Sequence, residues 1–169
     1  MSNKYEAKGC LGSATDTLDS SGRIVSLDPH DHISREDLED GLGKFRGNIF
    51  QVPPIYSALK VNGKRMSDLA ARGQHIEQKP ARPVTVHCLQ CTGFDSPHFS
   101  LSIRCGGGFY VRSLIHDLGE YLGTSAHMTY LLRTNQGPFS LTHHALQPEK
   151  LTVKVIEETI LHNTPPCVS

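Results

Sequence analysis

Phe99-Ser100-Leu101-Ser102-Ile103-Arg104-Cys105 runs directly into Gly106-Gly107-Gly108-Phe109-Tyr110-Val111-Arg112-Ser113-Leu114-Ile115-His116-Asp117-Leu118-Gly119. In the first seven residues apolar and polar side chains alternate, the period of a strand with one face buried. After the glycines the period changes. Val111, Leu114, Ile115, Leu118 and Leu122 recur at three- and four-residue spacing, and Gly123 follows as a stop, which predicts a helix from Val111 to Leu122. A strand passing through three glycines into an amphipathic helix admits two uses. The helix N-terminus can hold a phosphate, or the glycines let two backbone segments pass closely.

Working outward, Tyr5 to Leu11 reads as a strand. Gly12 to Gly22 is rich in small hydroxyl and Asx residues that favour turns. Ser34 with Asp37 three residues on, then Leu38, Leu42 and Phe45, predicts a capped helix that ends by Gly47. Pro53-Pro54 breaks regular structure. Ile55 to Val61 then reads as a strand, Asn62-Gly63 as a hairpin turn, and Ser67 to Arg72 as a short helix. Val84 to Leu89 reads as a strand, Ala126 to Leu132 as a short helix, and Thr152 caps a last helix with Val153, Ile156 and Ile160. Strands and helices mix without βαβ alternation, so the expected class is α+β with a mainly antiparallel sheet.

The 169 residues suffice for one core without staples. Hydrophobic residues at 37% and charged residues at 20% exclude an intrinsically disordered chain. Lys+Arg and Asp+Glu both number 17, which excludes a uniformly basic coat. The charge is uneven: residues 1–40 carry four basic and nine acidic groups, residues 60–82 six basic and two acidic. That points to an anionic partner for the middle segment. No apolar run is long enough to span a bilayer. There is no signal-type N-terminus, and the five cysteines are odd in number. The expectation is reduced thiols in an intracellular setting, with no membrane partner and with nucleus, cytoplasm and mitochondrion undistinguished.

Cys88 and Cys91 have CxxC spacing, but on a strand positions three apart face opposite ways. A zinc-dependent interaction domain on Cys88, Cys91 and Cys105 is thus the weaker alternative, and the expected metal content is none. The histidine pairs lack an intervening Glu at helical spacing, and no GxSxG, P-loop or GxGxxG occurs. Arg112 stands where the strand-to-helix passage ends. It can grip a carboxylate, and Phe109 and Tyr110 can stack on a base or fill the core.

Several segments together resemble the TruB family of RNA pseudouridine synthases, in its eukaryotic flavour. They are Lys4-Tyr5 with Leu11-Gly12; Thr15-Asp16-Thr17-Leu18-Asp19 with Gly22; Gln51 to Lys60; Arg82-Pro83-Val84; Gly106 to Gly119; and Leu131-Leu132-Arg133-Thr134 with Gly137. The resemblance implies a pseudouridine synthase fold with flanking helices on a mainly antiparallel, mixed sheet. It implies isomerisation of a uridine in tRNA, in the T-arm, or in another stem-loop RNA, without cofactor or metal. It casts Tyr5 as the ring stacked on the flipped base, Tyr110 and Leu131 as pocket walls, and Arg112 as partner of a nucleophilic aspartate. Lys60, Lys64 and Arg65 fit phosphate contacts.

The family's aspartate sits in a GxLDP-type motif upstream of the Lys4-Tyr5 segment. Asp16 and Asp19 fall in a different family segment. Residues 1–169 are therefore expected to be a partial catalytic domain, missing its N-terminal part and any PUA domain. Alone it is expected to be inactive, or a non-catalytic RNA-binding fragment. Two further expectations follow: an unpaired edge along Tyr5–Leu11, and an Arg112 that, without the family's carboxylate, must stay hydrated or find another acid.

Overall fold

The computed structural model describes residues 2–57, 60–61, 64–66, 79–145 and 151–163, without the side chains of 60, 61, 64, 65, 143, 144 and 160–163. The strands are β1 (Asn3–Leu11), β2 (Ser13–Thr15), β3 (Ile24–Leu27), β4 (Gly47–Gln51), β5 (Lys60–Val61), β6 (Lys64–Arg65), β7 (Arg82–Asp95), β8 (His98–Cys105), β9 (Ala126–Gln136) and β10 (Phe139–Ser140). The helices are α1 (Arg35–Gly43), α2 (Val111–Tyr121), α3 (Leu141–His144) and α4 (Val153–Asn163). Six strands form one sheet in the order β10-β9-β1-β8-β7-β4, each pair antiparallel. β2 pairs with β3, and β5 with β6, in small separate ribbons.

The alternation in β8 builds the core. Phe99, Leu101, Ile103 and Cys105 are all at most 1% exposed, while Arg104 between them faces water. Each such side chain contributes roughly 1.5–3 kcal/mol of burial. Leu38 and Leu42 of α1 and Leu114, Ile115 and Leu118 of α2 pack in the same cluster. Both helices thus cover one face of the sheet; Lys4, Glu6 and Lys8 on the other face are exposed. α1 starts as its sequence dictates: the Ser34 side chain accepts from the Asp37 amide, and the Asp37 carboxylate accepts from the Ser34 amide.

Three expectations are corrected. Ala126–Leu132 is strand, not helix. A bulge places Met128 opposite Gly9 and Tyr130 opposite Lys8, leaving Thr129 over. Ala126, Met128 and Leu131 therefore share a face at spacings of two and three, which imitates a helical pattern. Second, β1 has no free edge, because β8 and β9 flank it on both sides. Third, Ile55–Ser57 is bend rather than strand, and β5 begins only at Lys60. The expected Asn62-Gly63 turn and Ser67–Arg72 helix lie outside the described residues; Lys60 pairs with Arg65 and Val61 with Lys64. β7 runs further than expected. Its Cys88 lies opposite Arg104 and its Cys91 opposite Leu101, on opposite faces of the sheet.

Candidate active-site cleft

The polar run after β1 folds into a tight loop because its side chains bond their own backbone. Thr15 Oγ1 donates to the Asp19 carbonyl at 2.7 Å, and Thr17 Oγ1 to Asp19 Oδ1 at 2.9 Å. The Ser21 amide donates to Asp19 Oδ1 at 3.0 Å, and the Ser21 hydroxyl also reaches that oxygen. The loop must close on Gly22, where an added Cβ would lie 2.3 Å from Thr17 Oγ1 and 2.4 Å from Asp16 Oδ1. Leu18 is held at φ 62°, a left-handed conformation that a leucine adopts at a cost. The loop docks on β9, the Met128 amide donating to the Leu18 carbonyl at 3.0 Å and the Ser20 amide to the Met128 carbonyl at 2.9 Å.

Arg112, second residue of α2, points into this loop. Its Nη1 donates to the Thr17 carbonyl and to Asp19 Oδ2, both at 3.0 Å, and its Nη2 to the Tyr56 carbonyl. Both side chains of the Arg112–Asp19 pair are 22% exposed. Burial pushes the Asp19 carboxyl up. The hydrogen bonds from Thr17 and Ser21 and the Arg112 charge outweigh it, leaving Asp19 below its ordinary value and ionised at neutral pH. Of the two fates expected for Arg112, staying hydrated or finding another acid, the structure shows the second. Asp19, set aside on sequence grounds, is its partner. The 2-residue spacing of hydroxyls around Asp19 (Thr17 and Ser21) was the sequence signal for a held carboxylate.

Beside this ion pair lies a cleft of about 140 Å³ between the Asp16–Leu18 turn, the Val52–Tyr56 loop, and Ser113 and His116 of α2. The Val52–Tyr56 loop is tied to α2: Ser113 Oγ donates to the Val52 carbonyl at 2.9 Å. Gln51, buried at 3% exposure, accepts from the Tyr110 amide at 2.7 Å and donates to the Tyr110 carbonyl at 2.9 Å. Sequence reading passed over Gln51 as a site residue. Its burial comes from the loop folding back, which no local pattern announces.

Tyr5 lies opposite Ile103 and Arg133, and Leu131 opposite Ala7. Ile103 and Ala7 face the core, so Tyr5 and Leu131 share the helix-covered face as diagonal neighbours. Tyr5 packs against the core cluster, while Leu131 keeps 43% of its surface. α2, carrying Arg112 after Tyr110, packs on β9 and β1. The backbones of Lys60, Lys64 and Arg65 form the β5–β6 ribbon that continues the Tyr56 loop, and their side chains lie outside the described residues.

Two other clusters bear on the alternatives. Leu27-Asp28-Pro29 carries Val25 where a GxLDP-type motif has glycine. Asp28 accepts from Ser26 at 2.7 Å and from Ser125, while Arg112 pairs with Asp19. Among the described residues, the group of His, Cys, Asp and Glu whose ligand atoms gather within 4.8 Å is His116, Asp117 and Glu120, not Cys88, Cys91 and Cys105. No helix among them is long and apolar enough to cross a membrane.

Comparison with known proteins follows the same segments. Residues 1–111 match the model of the TruB family pseudouridylate synthase N-terminal domain, and residues 112–163 that of the tRNA pseudouridylate synthase B C-terminal domain. Pseudouridylate synthase TRUB1 of Homo sapiens is 52% identical over 161 residues, 95% of this chain and 46% of that protein. tRNA pseudouridine synthase B of Symbiobacterium thermophilum is 43% identical over 148 residues, 86% of this chain and 49% of that protein. The chain thus spans about half the length of these relatives. In a crystal structure of a Cbf5-Nop10-Gar1 complex, one chain superposes at a TM-score of 0.62 and 22% identity, over 96% of this chain and 37% of its own length. A structure of an H/ACA RNP bound to a substrate RNA containing 2'-deoxyuridine gives 0.54 and 19%, over 86% and 31%. These two share the fold. With the strand-to-helix passage, the Asp19 loop and the Gln51–Tyr56 loop meeting at Arg112, and with both family models matched in order, this chain belongs to the TruB family of pseudouridylate synthases.

Proposed function

We propose that the chain forms the uridine-binding part of an RNA pseudouridine synthase acting on a stem-loop of the tRNA T-arm type inside the cell. The observation that carries the reading is the Arg112 clamp. A largely buried guanidinium is paired with an ionised aspartate beside a cleft whose walls include Thr17, Tyr56 and Ser113. The reaction breaks the bond between C1′ of the ribose and N1 of uracil and turns the base. It then joins C1′ to C5, with a proton leaving C5 and one held at N1. An aspartate serves as nucleophile, and neither cofactor nor metal takes part.

The target base must leave its stack to react. On this reading Tyr5 stacks on it, contributing roughly 1–3 kcal/mol, and helps move a proton; Tyr110 and Leu131 line its pocket. Arg112 keeps facing carboxylates ionised. Lys60, Lys64 and Arg65, on the ribbon that follows the clamped Tyr56 loop, track the phosphates.

The test uses a T-arm stem-loop transcript. Binding should weaken steeply with salt, and replacing Lys60, Lys64 and Arg65 by Ala should reduce the slope by up to about three. No binding above that of an unrelated protein would overturn the reading. Conversion is followed by carbodiimide chemistry and primer extension. These residues contain no GxLDP-type motif, so binding without conversion is expected of them. That outcome also fits a second reading, a non-catalytic RNA-binding module. It is favoured by Arg112 having both terminal nitrogens engaged within the chain. Single-site conversion would exclude the module and direct the search for the nucleophile to carboxylates already present, Asp19 first.

A further inference from the structure

We infer that Gln51 is the positioning residue of the cleft: by gripping both sides of Tyr110 it fixes where α2 begins, and with it Tyr110 and Arg112. The inference rests on the proposed reading of those two residues as substrate-facing.

The first amides of a helix lack intrahelical partners and need outside acceptors. Tyr110 occupies the N-cap position in an extended conformation, φ −114° and ψ 110°, with no side-chain cap. Three glycines stand before Phe109-Tyr110, with Gly108 at φ 78°. Such a lead-in has the greatest backbone freedom of any sequence. Phe109 and Val111, on either side of Tyr110, are buried in the core, but the Tyr110 amide has no side-chain cap nearby; its acceptor comes from 59 positions away in sequence. Gln51 Oε1 accepts from the Tyr110 amide at 2.7 Å and Gln51 Nε2 donates to the Tyr110 carbonyl at 2.9 Å.

Residue 51 is itself anchored, since it ends β4 opposite Arg82 of β7 in the main sheet. The grip therefore refers α2 to the sheet. A primary amide offers a donor and an acceptor on separate atoms at the end of one flexible side chain, whereas a carboxylate accepts only, an ammonium donates only, and a thioether does neither usefully. Val52 and Tyr56, just beyond, receive Ser113 and Arg112. Gln51 acts on the residue ahead of the helix, whose carbonyl also takes the first intrahelical bond from the Leu114 amide. A displacement there is carried to Arg112, two residues on, and to its 3.0 Å contact with Asp19.

The experiment compares this chain with Gln51→Met, close in volume but without the paired bonds, with Gln51→Glu, which keeps an acceptor for the Tyr110 amide, and with Ile49→Val as a packing control on β4. Carboxyl carbon NMR follows the titration of Asp19, and hydrogen exchange follows the amide of Tyr110. Gln51→Met should speed exchange at Tyr110 by about tenfold or more and move the Asp19 midpoint up toward the ordinary carboxylate range. Gln51→Glu should do both to a smaller degree, and serves alone if the Met variant does not fold. Ile49→Val should do neither. An Asp19 midpoint and Tyr110 protection unchanged in both Gln51 variants, or changed equally by Ile49→Val, would overturn the assignment. Stem-loop binding is measured alongside. If the unmodified chain binds no RNA, the functional reading fails, while the two NMR observables still decide whether Gln51 sets the position of Arg112.

Discussion

Arg112 Nη1 stands 3.0 Å from Asp19 Oδ2, across 93 positions of sequence. Each group answers a need of the other. Asp19 sits among hydroxyls and an amide that favour its charged form, and Arg112 satisfies two further carbonyls at the same time. The pair joins the loop after β2 to the start of α2, and the Tyr56 carbonyl brings in a third segment.

Removing Arg112 leaves the Asp19 charge and two carbonyls short of a donor. Arg112→Ala should lower stability by about 2–3 kcal/mol, measured by urea unfolding at pH 7. Arg112→Lys should recover only part, because one ammonium cannot span three acceptors in a fixed fork. A loss below about 0.5 kcal/mol would show that the clamp holds nothing together.

The Asp19 carboxyl titrates below its unfolded value, so its contribution is complete above the ordinary carboxylate range and is lost as pH falls through its folded midpoint. Asp19→Asn should therefore reduce stability at pH 7 and flatten the acid limb below about pH 4. Parallel stability–pH curves for the two proteins would contradict this.

Gly119 and Gly43 should respond oppositely to alanine. A Cβ on Gly119 would lie 2.6 Å from the Ala126 amide nitrogen and 2.9 Å from the Ser125 carbonyl carbon, both backbone. Gly119→Ala should cost about 1–3 kcal/mol despite better helix propensity. At Gly43, the last residue of α1, nothing lies within 4 Å, so Gly43→Ala should gain up to about 1 kcal/mol. Thermal unfolding of both variants tests the sign.

Leu18 at φ 62° makes a further contrast. Leu18→Gly relieves about 1 kcal/mol of backbone strain, whereas Leu18→Val, branched at Cβ, should destabilise by a similar amount. Chemical unfolding in which the valine variant is the more stable would refute the strained conformation.

Burial raises the Cys105 thiol to about 11. At pH 8 its thiolate is on the order of 0.1% of the population. Iodoacetamide should spare Cys105 in the native protein and label all five cysteines once the chain is unfolded, as read by mass spectrometry.

The sequence by itself determined the elements whose periods are local. β8 was legible because one face is buried over its whole length, and α1 because Ser34 and Asp37 cap it within three residues. α2 was legible because its apolar stripe is unbroken. The family followed from blocks such as Tyr56 to Lys60 and Tyr110 to Arg112, with Arg112 marked for a carboxylate partner.

Only the tertiary structure decided the rest. β9 reads as a helix until the bulge at Thr129 is seen, because the extra residue converts a period of two into a step of three. β4 is only five residues long, and its place at the sheet edge comes from pairing with β7, not from its own pattern. The identity of the Arg112 partner and the burial of Gln51 depend on loops brought together from distant parts of the chain. Short polar loops carry no period. Their partners are set by which backbone groups the packed sheet and helices leave unsatisfied, and those exist only once the fold has formed.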